Sequence, residues 1–306
     1  MTSLSAFSLR GSAQDNNAAS TVRETARAKV NLTLHVKGKR ADGYHELESL
    51  VAFADVSDEL AFTPGSQDGL SMDGPFAGLV DGENLILKAK RAVSSWLGVP
   101  VNGHFVLKKN IPVAAGLGGG SSDAAAAIRA LLRSYGSAAA PANFIERSAA
   151  VGADVPICLL NSAGWMCGLG ERVTPVKGLE PLPAILVNPR IKLSTADVFR
   201  TLNAPAIRSL AQEAPPAFPG WTSPEGAAVF LREGRNDLET PAMALEPAVG
   251  QVLDTLRRLD GCLLARLSGS GPTCFAIFSC PHCSASAADE IQRGHPGWWV
   301  RATMLS

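Results

Sequence analysis

Pro112-Val113-Ala114-Ala115-Gly116-Leu117-Gly118-Gly119-Gly120-Ser121-Ser122-Asp123 runs without a break into Ala124-Ala125-Ala126-Ala127-Ile128-Arg129-Ala130-Leu131-Leu132. Glycine lets a backbone turn sharply and approach a ligand with no Cβ in the way. Ser122 and Asp123 are good N-cap types, so the pattern predicts a helix starting at one of them. The first amides of such a helix have no intrahelical partners and carry partial positive charge, which makes this kind of loop a phosphate site. It matches neither common nucleotide fingerprint. No lysine follows as a P-loop requires, and Ser121 stands where G-x-G-x-x-G needs glycine. A flexible linker before an alanine-rich helix is the plainer alternative. The strand-like Val106-Leu107 upstream and the N-cap residues at the end argue for a built loop. The expectation is a protein that handles a polyphosphate.

The rest of the chain bounds that expectation. At 306 residues the length suggests about two domains, and 46% hydrophobic with 18% charged residues is enough apolar material for a substantial core. Lys plus Arg balance Asp plus Glu at 28 each, so no electrostatic case exists for nucleic acid or an anionic membrane as partner. No apolar run reaches the ~18 residues of a transmembrane helix. Residues 1–22 are rich in Ser, Ala, Asn and Gly and lack the basic start and apolar block of a signal peptide; they read as a disordered tail. Six cysteines without a secretion signal suggest reduced thiols in a cytoplasm. Cys158, Cys167, Cys262 and Cys274 sit in apolar runs and read as core residues. Cys280-Pro281-His282-Cys283 lacks the second ligand pair of a zinc site and reads as an inert turn near a strand end.

Along the chain, strands are expected at 25–36, 47–56, 59–63, 103–107, 163–167, 183–189, 263–267 and 274–278. Helices are expected at 84–97, 143–151 and 248–259, besides the one after the glycine loop. Gly152-Ala153-Asp154-Val155-Pro156 reads as a compact turn, because Pro156 biases Val155 away from helix. Prolines make 203–224 loop-rich. A second glycine loop, Ser268-Gly269-Ser270-Gly271-Pro272, lies between two strands. The mixture suggests an α+β fold in two domains.

Four pieces in order carry a resemblance: Ala28-Lys29-Val30-Asn31-Leu32, the loop from Pro112 to Ser122, Gly152 to Pro156, and Leu267 to Pro272. Together they resemble the GHMP kinase superfamily of galactokinase, homoserine kinase and mevalonate kinase, over residues from about 23 to 306. Arg40-Ala41-Asp42-Gly43-Tyr44-His45-Glu46-Leu47 and Asn236-Asp237-Leu238-Glu239 are similar to the branch acting on CDP-methylerythritol in the non-mevalonate isoprenoid pathway. The resemblance implies an N-terminal ATP-binding domain (23–165) and a C-terminal substrate-side domain (166–306); the tail read at 1–22 departs from it, because the family usually lacks one. The alternative within the superfamily is a kinase of the homoserine or mevalonate type. A non-catalytic nucleotide-binding protein on the same scaffold is a further one.

The implied reaction moves the ATP γ-phosphoryl onto the 2-hydroxyl of the CDP-bearing substrate, largely by positioning and charge stabilisation. By the same resemblance Asp154 is the base, also contacting substrate, and Lys29 is its partner. A carboxylate in a tight turn can accept the hydroxyl proton, and a nearby ammonium keeps it ionised and stabilises charge on the oxygens. The plainer readings are a turn-forming Asp154 and a solvated edge-strand Lys29, though an unpaired charge between Ala28 and Val30 would be costly. Pro112, Ala114, Gly116, Leu117, Gly118, Gly119, Gly120, Ser121 and Ser122 are expected around ATP, with Lys109 and Asn84 beside the adenosine. Asn31 is expected on the polyol, and Tyr44, His45 and Phe199 on the cytidine. Gly269, Ser270 and Gly271 would support phosphates or substrate from the second domain. Mg²⁺ is expected on the phosphates, without a dedicated set of protein ligands. A monomer or weak homodimer is expected.

Overall fold

A computed structural model describes residues 20–136, 140–207 and 214–306. The elements follow in the order β1 (Val22–Asn31), β2 (His35–Lys39), β3 (His45–Pro64), β4 (Gly69–Asp73), α1 (Leu85–Leu97), β5 (Gly103–Lys108), α2 (Gly119–Tyr135), α3 (Phe144–Arg147) and α4 (Val155–Leu160). They continue with β6 (Gly164–Gly168), β7 (Arg172–Pro175), β8 (Leu182–Asn188), α5 (Thr195–Leu202), α6 (Pro224–Arg232), α7 (Glu239–Leu245), α8 (Pro247–Arg258), β9 (Cys262–Leu267), β10 (Cys274–Phe278), α9 (Pro281–Gly294) and β11 (Trp299–Leu305). Most of the expected tail, 1–19, lies outside the described residues. The expected division at 165/166 falls inside β6.

The sheet runs β4-β5-β3-β11-β8-β10-β9, with β1, β2 and β6 also paired to β3. Its two parts meet where Leu305 of β11 pairs with Ala54 of β3. α1 and α2 cover the first part over Phe53, Phe62, Phe105, Ile86 and Leu131. α8 and α9 cover the second over Val187, Leu253, Phe278 and Ile291. Between them Leu32, Leu50, Trp165, Leu186, Phe275 and Trp299 form a shared apolar layer. Burial of such side chains, about 1.5–3 kcal/mol each, holds the halves together.

Several elements depart from the sequence reading. The strand expected over 25–36 ends at Asn31, and β2 follows after a break. The two strands expected at 47–56 and 59–63 are one strand of 20 residues. The polar break at 57–59 does not interrupt it, because the Asp58 carboxylate, fully buried, accepts the N–H groups of Asn110 (2.5 Å) and Ile111 (2.8 Å). α2 starts at Gly119, ahead of Ser122. Its N-cap is Gly118 in the left-handed region (φ 61°), a conformation that costs glycine little. The expected helix at 143–151 is the short α3 followed by a single 3₁₀ turn. The turn at Gly152 leads directly into α4, and Pro156 is tolerated in its first turn, where its missing N–H has no intrahelical acceptor. Cys280 to Cys283 opens helix α9.

Candidate active site

Everything expected around the phosphates converges on the end of β1. β1 slips register against β3 between Arg27 and Lys29. The Lys29 N–H donates to the Leu117 carbonyl at 2.8 Å, which fixes the glycine loop to the strand. The second glycine loop clamps it from the other side. Ser268 Oγ donates to the Gly116 carbonyl (3.0 Å) and Thr273 N–H to the Ala115 carbonyl (3.2 Å). Gly116 is required here: it has φ 74°, and a Cβ would lie 2.3 Å from the Ser268 carbonyl oxygen. Asn236 holds the second loop by donating from Nδ2 to the carbonyls of Leu267 and Gly269, 2.8 Å each.

Lys29 and Asp154 meet across this junction. Lys29 Nζ lies 2.9 Å from Asp154 Oδ2, with the lysine side chain 5% exposed and the aspartate 29%. A Cβ on Gly118 would stand 3.1 Å from Lys29 Cε and 3.6 Å from Asp154 Oδ2, so the pair faces the N-cap of α2 directly. Ser121 Oγ lies beside Gly152, at the head of the Asp154 turn. Lys29 Nζ also donates to Asn31 Oδ1 (3.0 Å), and Asn31 Nδ2 donates to Ser49 Oγ (2.7 Å), which donates to the Thr33 carbonyl (2.5 Å). Asn31 is fully buried and its amide is used in this chain, so it orients Lys29 from below. Ser122 is buried within α2, its Oγ donating to the Arg27 carbonyl at 2.8 Å.

A second lysine lies under the next residue of the loop. Lys109 Nζ is buried 2.5 Å from Asp58 Oδ2 and 2.6 Å from Asp123 Oδ2. A Cβ on Gly119 would come within 3.2 Å of that Nζ. Burial pushes the Asp123 carboxyl up to about 7, with Lys109 pulling it down and Asp58 pushing it up. Burial opposes the charge on Lys109, but the two carboxylates hold its ammonium above its ordinary value. A cavity of about 230 Å³ opens over this cluster, lined by Asn84, Pro112, Ala114, Gly119, Gly120 and Lys109 among others. Asn84 caps α1 through Oδ1, which accepts the Ile86 N–H at 2.9 Å.

The residues expected on the cytidine form a separate group. His45 stacks on Phe199 of α5, ring centroids 4.8 Å apart and 26° between planes. Burial, and secondarily Lys39, lowers the His45 pKa, so the ring is neutral near pH 7. Tyr44 stands beside it at 64% exposure. Gly269 and Ser270 lie nearer the phosphate loop: a Cβ on Gly269 would lie 3.0 Å from the Gly116 carbonyl, and Ser270 Oγ shares a 2.8 Å hydrogen bond with Thr195 Oγ1. Ser49, Asp58 and Asp123 are the polar residues of this region that sequence reasoning did not place. Asp58 falls in the polar break between the two expected strands, where nothing local marks it as buried. Among the described residues no cluster of three His, Cys, Asp or Glu could hold a metal, and no helix is long and apolar enough to cross a membrane.

The chain is similar to known proteins over most of its length. Residues 84–162 match the family GHMP kinases N terminal domain, and residues 226–297 match GHMP kinases C terminal. The chain is 46% identical to a 4-diphosphocytidyl-2-C-methyl-D-erythritol kinase of Rhodopseudomonas palustris, covering 95% of this chain and 99% of the relative. It is 47% identical to one of Dinoroseobacter shibae, covering 92% and 93%. A crystal structure of 4-(cytidine 5'-diphospho)-2C-methyl-D-erythritol kinase superposes with a TM-score of 0.73 at 33% identity, covering 93% of this chain and 99% of that one. A homoserine kinase from Cytophaga hutchinsonii superposes at 0.63 with 15% identity, covering 96% and 97%, a likeness of fold alone.

Proposed function

The chain belongs to the 4-diphosphocytidyl-2-C-methyl-D-erythritol kinase family within the GHMP kinases, and from that premise we propose how its site works. It is an ATP-dependent kinase that phosphorylates the 2-hydroxyl of 4-diphosphocytidyl-2-C-methyl-D-erythritol in the non-mevalonate isoprenoid pathway. The observation that carries the reading is the Lys29–Asp154 pair, half open and set against the N-cap of α2. The Asp154 carboxylate takes the proton of the 2-hydroxyl, the oxygen attacks the γ-phosphorus, and ADP leaves. Lys29, ion-paired to Asp154, faces the charge that builds on the transferred oxygens. Asn31 and Ser49 keep Lys29 aimed.

The free first-turn amides of Gly119, Gly120 and Ser121 and the positive end of α2 receive the phosphates, whereas the Ser122 N–H is already bonded to the Gly118 carbonyl at 2.9 Å. Pro112, Ala114 and Asn84 line the nucleotide side. Lys109, engaged by two carboxylates, supports the loop from beneath. Magnesium, bound mainly by phosphate oxygens and water, would neutralise phosphate charge beside the first turn of α2. His45, Phe199 and Tyr44 receive the cytosine, with Gly269, Ser270 and Gly271 closing the substrate side. We assign the enzyme to the cytoplasm, where its ATP is supplied, and take it as a monomer or weak homodimer.

The test is ADP release from the purified chain with 4-diphosphocytidyl-2-C-methyl-D-erythritol, mevalonate and homoserine in parallel. Turnover of the first alone is expected. Comparable turnover of mevalonate or homoserine would refute the assignment of the cytidine group.

A further inference from the structure

Cys280-Pro281-His282-Cys283 has no part in the kinase site, yet it pairs two cysteines at the start of a helix. Cys280 is the N-cap of α9, a helix of 14 residues. The two cysteines are joined as a disulfide with Cα atoms 5.2 Å apart. The Cys283 N–H points at Cys280 Sγ from 3.1 Å. Both cysteines are half-buried beside exposed Pro281 and His282, open to a small molecule. The remaining cysteines differ. Cys158, Cys167 and Cys274 are buried, and burial pushes the Cys158 thiol up to about 12.

We propose that Cys280 and Cys283 form a reversible redox site that exchanges with small thiols and disulfides of the glutathione class, with Cys280 as the attacking sulfur. In the reduced pair, negative charge on Cys280 Sγ receives the Cys283 N–H and the positive end of α9. That thiolate attacks one sulfur of a small disulfide; a protein–small-molecule S–S bond forms and one small thiolate leaves. Cys283 then loses its proton and attacks Cys280 Sγ; the internal disulfide forms and the second small thiolate leaves. The protein pair loses two electrons and two protons, and one small disulfide becomes two thiols. Excess thiol drives the same steps backwards.

The pair lies at the far end of β10 from the kinase site. Cys274 begins that strand beside Thr273, which bonds the glycine loop, whereas Phe278 ends it and leads to Cys280. Oxidation is therefore expected to leave phosphoryl transfer unchanged.

The full-length chain would be reduced, equilibrated in glutathione buffers of graded thiol-to-disulfide ratio, quenched with N-ethylmaleimide and mapped by mass spectrometry. The 280–283 peptide should pass from doubly alkylated to internally bridged within that range, while Cys158, Cys167 and Cys274 stay reduced. C283S should trap glutathione on Cys280 about tenfold faster than half-buried Cys262 is modified. C280S should not trap it on Cys283 at that rate, and both variants should keep kinase activity. Cysteines that stay alkylated throughout, equal trapping in the two variants, or one zinc per chain held by the reduced pair would each overturn the proposal.

Discussion

Two lysines lie under adjacent residues of one loop and do different work. Lys29 sits beneath Gly118 and Lys109 beneath Gly119. Each is nearly buried and each is ion-paired to aspartate. The difference is on the acidic side. Asp154 is 29% exposed, whereas Asp58 and Asp123 are sealed at 0% and 6%. A carboxylate with one edge in a cleft can reach a substrate proton. One closed off against a buried ammonium cannot, and it contributes rigidity instead. Residue type and pairing are the same in both clusters; access separates chemistry from scaffolding.

The comparison breaks most sharply at Asp154. Asp154→Asn keeps size and hydrogen bonding but removes the charge, and kcat should fall by about 10²–10⁴ with the melting temperature little changed. Steady-state kinetics beside thermal unfolding separates these; a folded variant with native kcat would remove Asp154 from the base role. The sealed cluster should answer in the opposite way. Lys109→Met leaves buried carboxylates without their cation, a loss of about 3–5 kcal/mol in stability. Denaturant unfolding measures it, and a variant as stable as the parent would show that Lys109 is no scaffold.

The glycines sharpen the contrast at smaller scale. Gly118→Ala places a side chain at φ 61° and against Lys29, and the left-handed conformation costs about 1–2 kcal/mol. It should lower kcat by about tenfold, because the displaced group is the partner of Asp154. Gly119→Ala has no left-handed penalty and meets the far end of Lys109 at 3.2 Å. It should weaken ATP binding, read by calorimetry, more than it lowers kcat. The reverse outcome would exchange the roles of the two lysines.

The half-open site was legible in the sequence because its demands are local. A glycine run ahead of a helix, a proline-ended turn holding Asp154, and a charge amid apolar strand residues at Lys29 all show within a few neighbours, although Ser122 and Asp123 look like the cap that Gly118 supplies. The sealed cluster was not. Asp58 looks like part of a polar break until Asn110 and Ile111 arrive from another strand's end to bond it. Asp123 looks like an N-cap, but the cap is Gly118, and Asp123 turns inward to Lys109. The His45–Phe199 stack joins β3 to α5 across half of the chain. Its partners were named by resemblance to a family, and no local pattern pairs them. The helix opening at Cys280 was hidden because a single proline reads equally as a turn or as a first helical residue.

The pH dependence of stability tests whether the sealed cluster is fully ionised. Asp123 is held up at about 7 from an ordinary 3.8, by burial above all. Its folded-state value is therefore raised, and between those limits the folded chain keeps a proton that the unfolded chain has released. Stability then falls as pH rises through that window, since the folded state binds more protons, and it levels off above the folded value. Asp123→Asn cannot titrate, so the stability of the parent relative to this variant should decline from about pH 4 to about pH 7 and then stay constant. Urea unfolding of both proteins across that range measures the difference. A flat difference would mean that Asp123 keeps its charge and that Lys109 serves two full carboxylates. The sealed site would then be as ionised as the open one, and access alone would distinguish them.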